Sequence, residues 1–93
     1  MNPEGGIHQL PIEGVLDLHT FRPAEAKTLV ADYLDECRAH GVLEVRIIHG
    51  TGTGTLRRIV HSVLDRRTDI LRYALAGDGP SWGATVVTLR ERA

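Results

Sequence analysis

The sequence predicts a two-layer α/β sandwich of order β-α-β-α-β-β, with a four-stranded mixed sheet and both helices on one face. Three observations predict it. Within residues 42–48, Leu43, Val45 and Ile47 alternate with Glu44 and Arg46, as in a strand covered on one face only. Two other stretches carry apolar residues at three- and four-residue spacing, the period of an amphipathic helix. Each of these stretches lies between strand-like runs, which makes it a crossover connection. Crossovers are right-handed almost without exception, so two in succession put both helices on the same side of the sheet.

The elements follow in order along the chain. Residues 1–13 contain Pro3, Gly5, Gly6 and Pro11 with little periodicity and read as a flexible N-terminal arm, leaving residues 14–93 as one domain. Gly14 to Leu18 make a short strand. Pro23 suits the first turn of a helix, where its missing N–H costs nothing. Ala26, Leu29, Val30, Tyr33, Leu34 and Cys37 then line one face of that helix to about His40, and Gly41 stops it. Val42 to Ile48 form the second strand. In the second helix Leu56, Ile59, Val60, Val63 and Leu64 make the apolar stripe, while Arg57, Arg58, His61, Asp65 and Arg66 face outward, with an end near Arg67. Ile70 to Ala76 and Ala84 to Leu89 read as an antiparallel hairpin around a loop from Gly77 to Gly83.

Ninety-three residues, 42% of them hydrophobic and 25% charged, describe one small domain. A chain of this size buries only about 60–65% of its unfolded surface. No apolar run approaches the roughly 18 residues of a membrane span, and Met1 to Pro11 lack the basic and apolar regions of a signal peptide. The expectation is a cytoplasmic protein with no membrane partner, of a size compatible with a monomer. Cys37 is the single cysteine and falls on an apolar helix face, where an unpaired thiol is usually core. The net charge of −1 hides an asymmetry: residues 1–46 sum to −4 and residues 47–93 to +3. All seven bases of the second half are arginines, whose planar fork matches phosphate better than an ammonium does.

That positive half opens with His49-Gly50-Thr51-Gly52-Thr53-Gly54-Thr55-Leu56-Arg57-Arg58. Three alternating glycines exceed what a strand-to-helix turn requires, and they give another molecule close access to backbone amides. With the bare N–H groups of a helix start and the hydroxyls of Thr51, Thr53 and Thr55, this is a seat for an anion. The spacing matches neither the dinucleotide fingerprint nor the P-loop, which needs Gly-Lys-Ser/Thr. At the end of the first strand, Leu16-Asp17-Leu18-His19 puts a carboxylate and an imidazole two residues apart, on one face of a strand. Asp17 is suited to orient an imidazole, hold a divalent cation or act as base. An imidazole can serve as acid, base or metal ligand under cellular conditions, which makes His19 and His49 candidates. Zinc would need three or four spaced ligands. Mg2+ or Mn2+ asks only for a carboxylate such as Asp17 plus water and substrate phosphate, and no organic cofactor is expected. His8, His40 and His61 read as tail or helix surface. Trp82, in the hairpin loop between glycines, is placed either to stack on a base or to cover the core.

Leu16-Asp17-Leu18-His19-Thr20, the run from His49 to Arg57, and Gly83-Ala84-Thr85-Val86-Val87 together resemble the small MutS-related (Smr) domain over roughly residues 14–90. The resemblance implies a fold similar to the C-terminal domain of translation initiation factor three. It also implies nucleic-acid binding, often with nicking or other endonuclease activity dependent on a divalent metal. The family's LDLH signature falls on Leu16 to His19, and its HGxGxG signature on His49, Gly50, Gly52 and Gly54. Many members have glycine where this chain has Thr20, and lysine where it has Thr51. Arg57 and Arg58 are the residues available to replace that lysine's charge.

The leading expectation is thus an endonuclease acting on DNA or RNA. Gly50 to Gly54, Arg57 and Arg58 would hold the phosphodiester, and Asp17, His19 and His49 would share the acid and base work. The alternative from another class is a non-catalytic nucleic-acid-binding or recruitment module in DNA repair or ribosome quality control. A third, binding of a small anionic ligand or nucleotide, would use the glycine loop alone.

Overall fold

The computed structural model describes residues 12–76 and 83–91, and the order of elements is the expected one. β1 spans Val15–Asp17, α1 Pro23–Ala39, β2 Glu44–Ile48, α2 Thr55–Arg66, β3 Ile70–Ala76 and β4 Ala84–Leu89. The sheet order is β1-β2-β4-β3, with β1 parallel to β2 and β4 antiparallel to both its neighbours. The chain therefore places its last strand inside the sheet. Most of the expected arm lies outside the described residues.

Local chemistry sets the boundaries of α1. Pro23 opens the helix, and the Glu25 carboxylate accepts the N–H of Arg22 at 2.9 Å, satisfying a donor that the helix leaves bare. At the far end Gly41 takes φ +77, its N–H donates to Arg38 and the Val42 N–H donates to Cys37. This paired closure is the Schellman motif. It also explains why β2 begins at Glu44 rather than Val42: the Val42 amide closes the helix and is not free for the ladder.

Burial alternates along β1 and β2, so Leu16, Leu18, Val45 and Ile47 face the helices while Val15, Asp17, Glu44 and Arg46 face away. Val87 and Leu89 of β4 join them. Against this layer α1 packs Ala26, Val30, Tyr33, Leu34 and Cys37, and α2 packs Val60, Val63 and Leu64. Burial pushes the Cys37 thiol above its ordinary pKa, which keeps it an inert core residue. The Tyr33 hydroxyl accepts the Gly14 N–H and donates to the Val15 carbonyl, tying α1 to the sheet edge.

Gly14 has a specific reason to be glycine. Its φ is +86, and a Cβ there would stand 2.8 Å from the carbonyl oxygen of Glu44. Left-handed backbone costs an ordinary residue about 1–2 kcal/mol, and relieving the overlap adds a similar amount. Gly14→Ala is therefore expected to lower the melting temperature by about 10 °C or more in a thermal scan.

At the end of the sheet where α2 finishes, Arg67 clamps the two layers. Its Nε and Nη2 donate to the two oxygens of Asp69 at 2.9 and 2.7 Å, Nη2 also reaches Asp35 at 2.7 Å, and Nη1 reaches the Ala31 carbonyl. Arg38 approaches Asp69 at 3.5 Å. This polar cluster closes one end of the molecule.

Candidate functional site

The other end is assembled from strand ends and helix starts. Leu18 donates its N–H to the Ile48 carbonyl at 2.9 Å, one step past the last pair of the parallel β1/β2 ladder, so His19 and His49 emerge from neighbouring strands. Beyond them the chain turns into α1 and α2. A cleft of about 270 Å³ lies here, lined by Pro23 at the start of α1, His49, the loop from Gly52 to Gly54, and Thr55 and Leu56 at the start of α2.

The glycines make this loop possible. Gly50 and Gly54 have φ of +80 and +86, a region that L side chains rarely enter, and Gly54 is the N-cap of α2. That helix start carries no acid in its first turn and no N-cap side chain; only the Thr55 N–H is taken, by Thr53 Oγ1 at 3.3 Å. The partial positive charge of a helix N-terminus is therefore open to the cleft. Thr53 and Thr55 pair through their hydroxyls at 2.8 Å, while Thr51 and Gly52 are exposed. Arg57 folds back over the loop, since a Cβ on Gly54 would meet its Nη2 at 3.1 Å. Arg57 and Arg58 are both exposed and neither lines the cleft wall. Of the two arginines, Arg57 alone is drawn over the loop.

Asp17 and His19 meet as their spacing requires. Asp17 Oδ1 accepts the His19 backbone N–H at 3.0 Å and stands 2.9 Å from its Nδ1, with both side chains exposed to solvent. These bonds, the backbone one foremost, hold the Asp17 carboxyl below the usual aspartate range. A carboxylate only accepts, so Nδ1 carries a proton, and in the neutral form of the ring Nε2 is the lone pair. That is the poise of a general base.

His49 differs from the expectation. It is only 6% exposed, its Nδ1 is 3.0 Å from the Gly50 carbonyl and its Nε2 is 2.8 Å from Thr85 Oγ1. Both nitrogens are already engaged, so the ring as placed braces the loop and has none free for acid or base work. It also sits on the helix side of the sheet, in phase with Val45 and Ile47, whereas Asp17 is on the opposite side. The acid pairs with His19 and not with His49.

Three residues of the site carried little signal. Gly83 accepts the N–H groups of both His49 and Gly50, at 2.9 and 2.8 Å, and so staples the loop to β4. Thr85 is fully buried between two histidines. His61, expected on the surface of α2, is instead half-buried, with Nε2 2.8 Å from Thr85 and its ring 4.8 Å from that of Tyr73. It lies one turn beyond Arg57 and beside Val60, at the edge of the apolar stripe, where a histidine faces the sheet obliquely. Trp82 lies outside the described residues.

A mixed sheet covered by two helices on one face, with a glycine loop leading into the second helix, defines a small two-layer α/β domain. The sequence matches the model of the Smr domain family over residues 16–90, and the chain belongs to that family. It is 42% identical over 78 residues to Endonuclease MutS2 of Symbiobacterium thermophilum, and 36% identical over 85 residues to Endonuclease MutS2 of Clostridium botulinum. Those alignments cover 82% and 90% of this chain but only 10% and 11% of the relatives, so the chain spans about a tenth of their length. The crystal structure of the Smr domain of Thermus thermophilus MutS2 superposes with a TM-score of 0.75 at 39% identity, covering 82% of this chain and 96% of that one. YdaL, a stand-alone small MutS-related protein from Escherichia coli, gives 0.70 at 25% identity, covering 98% and 82%.

Proposed function

We propose that this domain binds nucleic acid and cuts its phosphodiester backbone. The observation that carries the reading is the α2 start beneath Arg57, with no acid in its first turn; the Asp17–His19 couple stands at the end of the neighbouring strand, outside the lining of the cleft. It draws further support from similarity to the Smr domain of proteins named Endonuclease MutS2. A phosphate oxygen in the cleft accepts from the N–H groups of Leu56 and Arg57, and the Arg57 guanidinium adds charge where negative charge grows in the transition state. His19 Nε2 takes a proton from the attacking water, and Asp17 keeps the ring in the tautomer able to do so. His49 holds the loop.

Metal fits this site in one way only. Among the described residues no three His, Cys, Asp or Glu side chains converge, whereas a zinc shell usually takes three or four. The second oxygen of Asp17 accepts no hydrogen bond among the described residues, and a hard cation with water and substrate phosphate needs little more. Mg2+ or Mn2+ bound there would polarise the phosphate and lower the pKa of the attacking water.

Gel-shift and cleavage assays on supercoiled DNA and structured RNA, with and without Mg2+ or Mn2+, test this reading. Cutting that needs Asp17 supports it. Binding without cutting under every metal condition would leave a non-catalytic module, in DNA repair or on the ribosome, which the engaged nitrogens of His49 also favour. In either case binding is expected to weaken steeply with salt as counterions are released, and Arg57→Ala should lower the slope of log K against log salt by about one. An unchanged slope would remove Arg57 from the phosphate contact.

A further inference from the structure

The Thr85 hydroxyl stands 2.8 Å from Nε2 of His49 and 2.8 Å from Nε2 of His61. A hydroxyl has one proton to give, so the two rings cannot both receive from it. The order of donation follows from the Gly50 carbonyl. That oxygen only accepts, so His49 carries its proton on Nδ1. The neutral ring then has a lone pair at Nε2 and takes the Thr85 O–H. Thr85 Oγ1 in turn accepts the Nε2–H of His61. Each proton position is dictated by the one before it.

The surroundings keep both rings neutral. Burial lowers the pKa of each, and the nearby Arg57 charge lowers both further, while Asp65 opposes this at His61. The groups facing His61 are Arg57 and Asp65 on its own helix, His49 at the end of β2, Thr85 on β4, and Tyr73 on β3, whose O–H donates to Asp65 at 2.7 Å. His61 is thus held from three sides.

We propose that His61 is a positioning residue for the glycine loop: its Nε2–H holds Thr85 Oγ1 so that the Thr85 O–H is aimed at Nε2 of His49, which backs the Nδ1–H tautomer that the Gly50 carbonyl selects and keeps that carbonyl inward. In a trans peptide the N–H points opposite to the C=O, so this turns the Thr51 N–H outward, toward an anion on the loop. Neither His61 nor Thr85 touches the phosphate. The inference rests on the reading of the loop as a phosphate seat, but its first readout does not.

Imidazole 15N shifts at pH 7.5 and affinity for fluorescein-labelled single-stranded DNA and RNA test it together. In the wild type, His49 should show a protonated Nδ1 and a bare Nε2. Thr85→Val should convert His49 to a mixture of tautomers and weaken oligonucleotide binding about tenfold, and Thr85→Ser should restore both. If Thr85→Val does not fold, His61→Leu at the half-buried position should give the same pair of changes. A wild-type His49 protonated on Nε2 overturns the proposal, as does a folded Thr85→Val or His61→Leu protein with tautomer and affinity unaltered. The expected tautomers, lost in Thr85→Val, in a wild type that binds no oligonucleotide would uphold the positioning chain and refute the proposed function instead.

Discussion

Asp17→Asn is expected to leave the fold intact by circular dichroism and to lower nicking of supercoiled plasmid or cleavage of structured RNA by about 10²- to 10⁴-fold, the usual worth of a positioned acid–base group. Asparagine keeps a side-chain oxygen that can accept the His19 backbone N–H, and the site is exposed, so stability has little to lose. What it removes is charge. An amide does not stabilise the imidazolium that forms when His19 takes a proton, and as an uncharged ligand it holds a hard cation more weakly than a carboxylate does. The two losses are separable, because His19→Gln in an otherwise intact Asp17 protein should retain any metal affinity while losing the base. Cleavage at the wild-type rate in both variants would sink the proposed chemistry.

Asp69→Ala is expected to cost about 3–5 kcal/mol, the penalty for removing one partner of a buried ion pair. Asp69 and Arg67 have side chains only 9% and 16% exposed, and the substitution strands the Arg67 guanidinium with Asp35 as its remaining acid. The Arg67 hydrogen bonds, foremost, hold the Asp69 carboxyl below the usual aspartate range. Its contribution to stability is therefore complete above the unfolded value of about 4 and is lost as pH falls through the lower folded value. Urea unfolding at pH 7 and again below pH 3 checks the sign: the gap between wild type and Asp69→Ala should shrink in acid. A gap of equal size at both pH values would refute the linkage.

Periodicity carried most of the fold. Alternation in β2 and the apolar stripes of both helices come directly from which face is buried, so β3 and β4 fall at their expected residues and α1 and α2 end within one residue of them. Strand order did not follow, because sequence spacing cannot tell that β4 inserts between β2 and β3. At the site, Asp17 and His19 were legible since two residues on a strand share a face. His49 was legible as a position but not as a state: the partner of its Nε2 is Thr85, 36 residues away. His61 was misread because helical spacing puts it at the margin of the apolar stripe, and only the placement of β4 turns that margin inward.

The carbonyl of Gly83 holds the amides of His49 and Gly50, and Gly83 immediately precedes the strand that closes the middle of the sheet. The glycine loop is therefore complete only after residues 83–89 have joined elements formed by residues 15–76. Loop closure over that separation is slow compared with helix formation. A chain emerging from the ribosome has both helices and the glycine motif in hand before Gly83 is available to hold them together, so the shape of this loop is set after the elements that flank it.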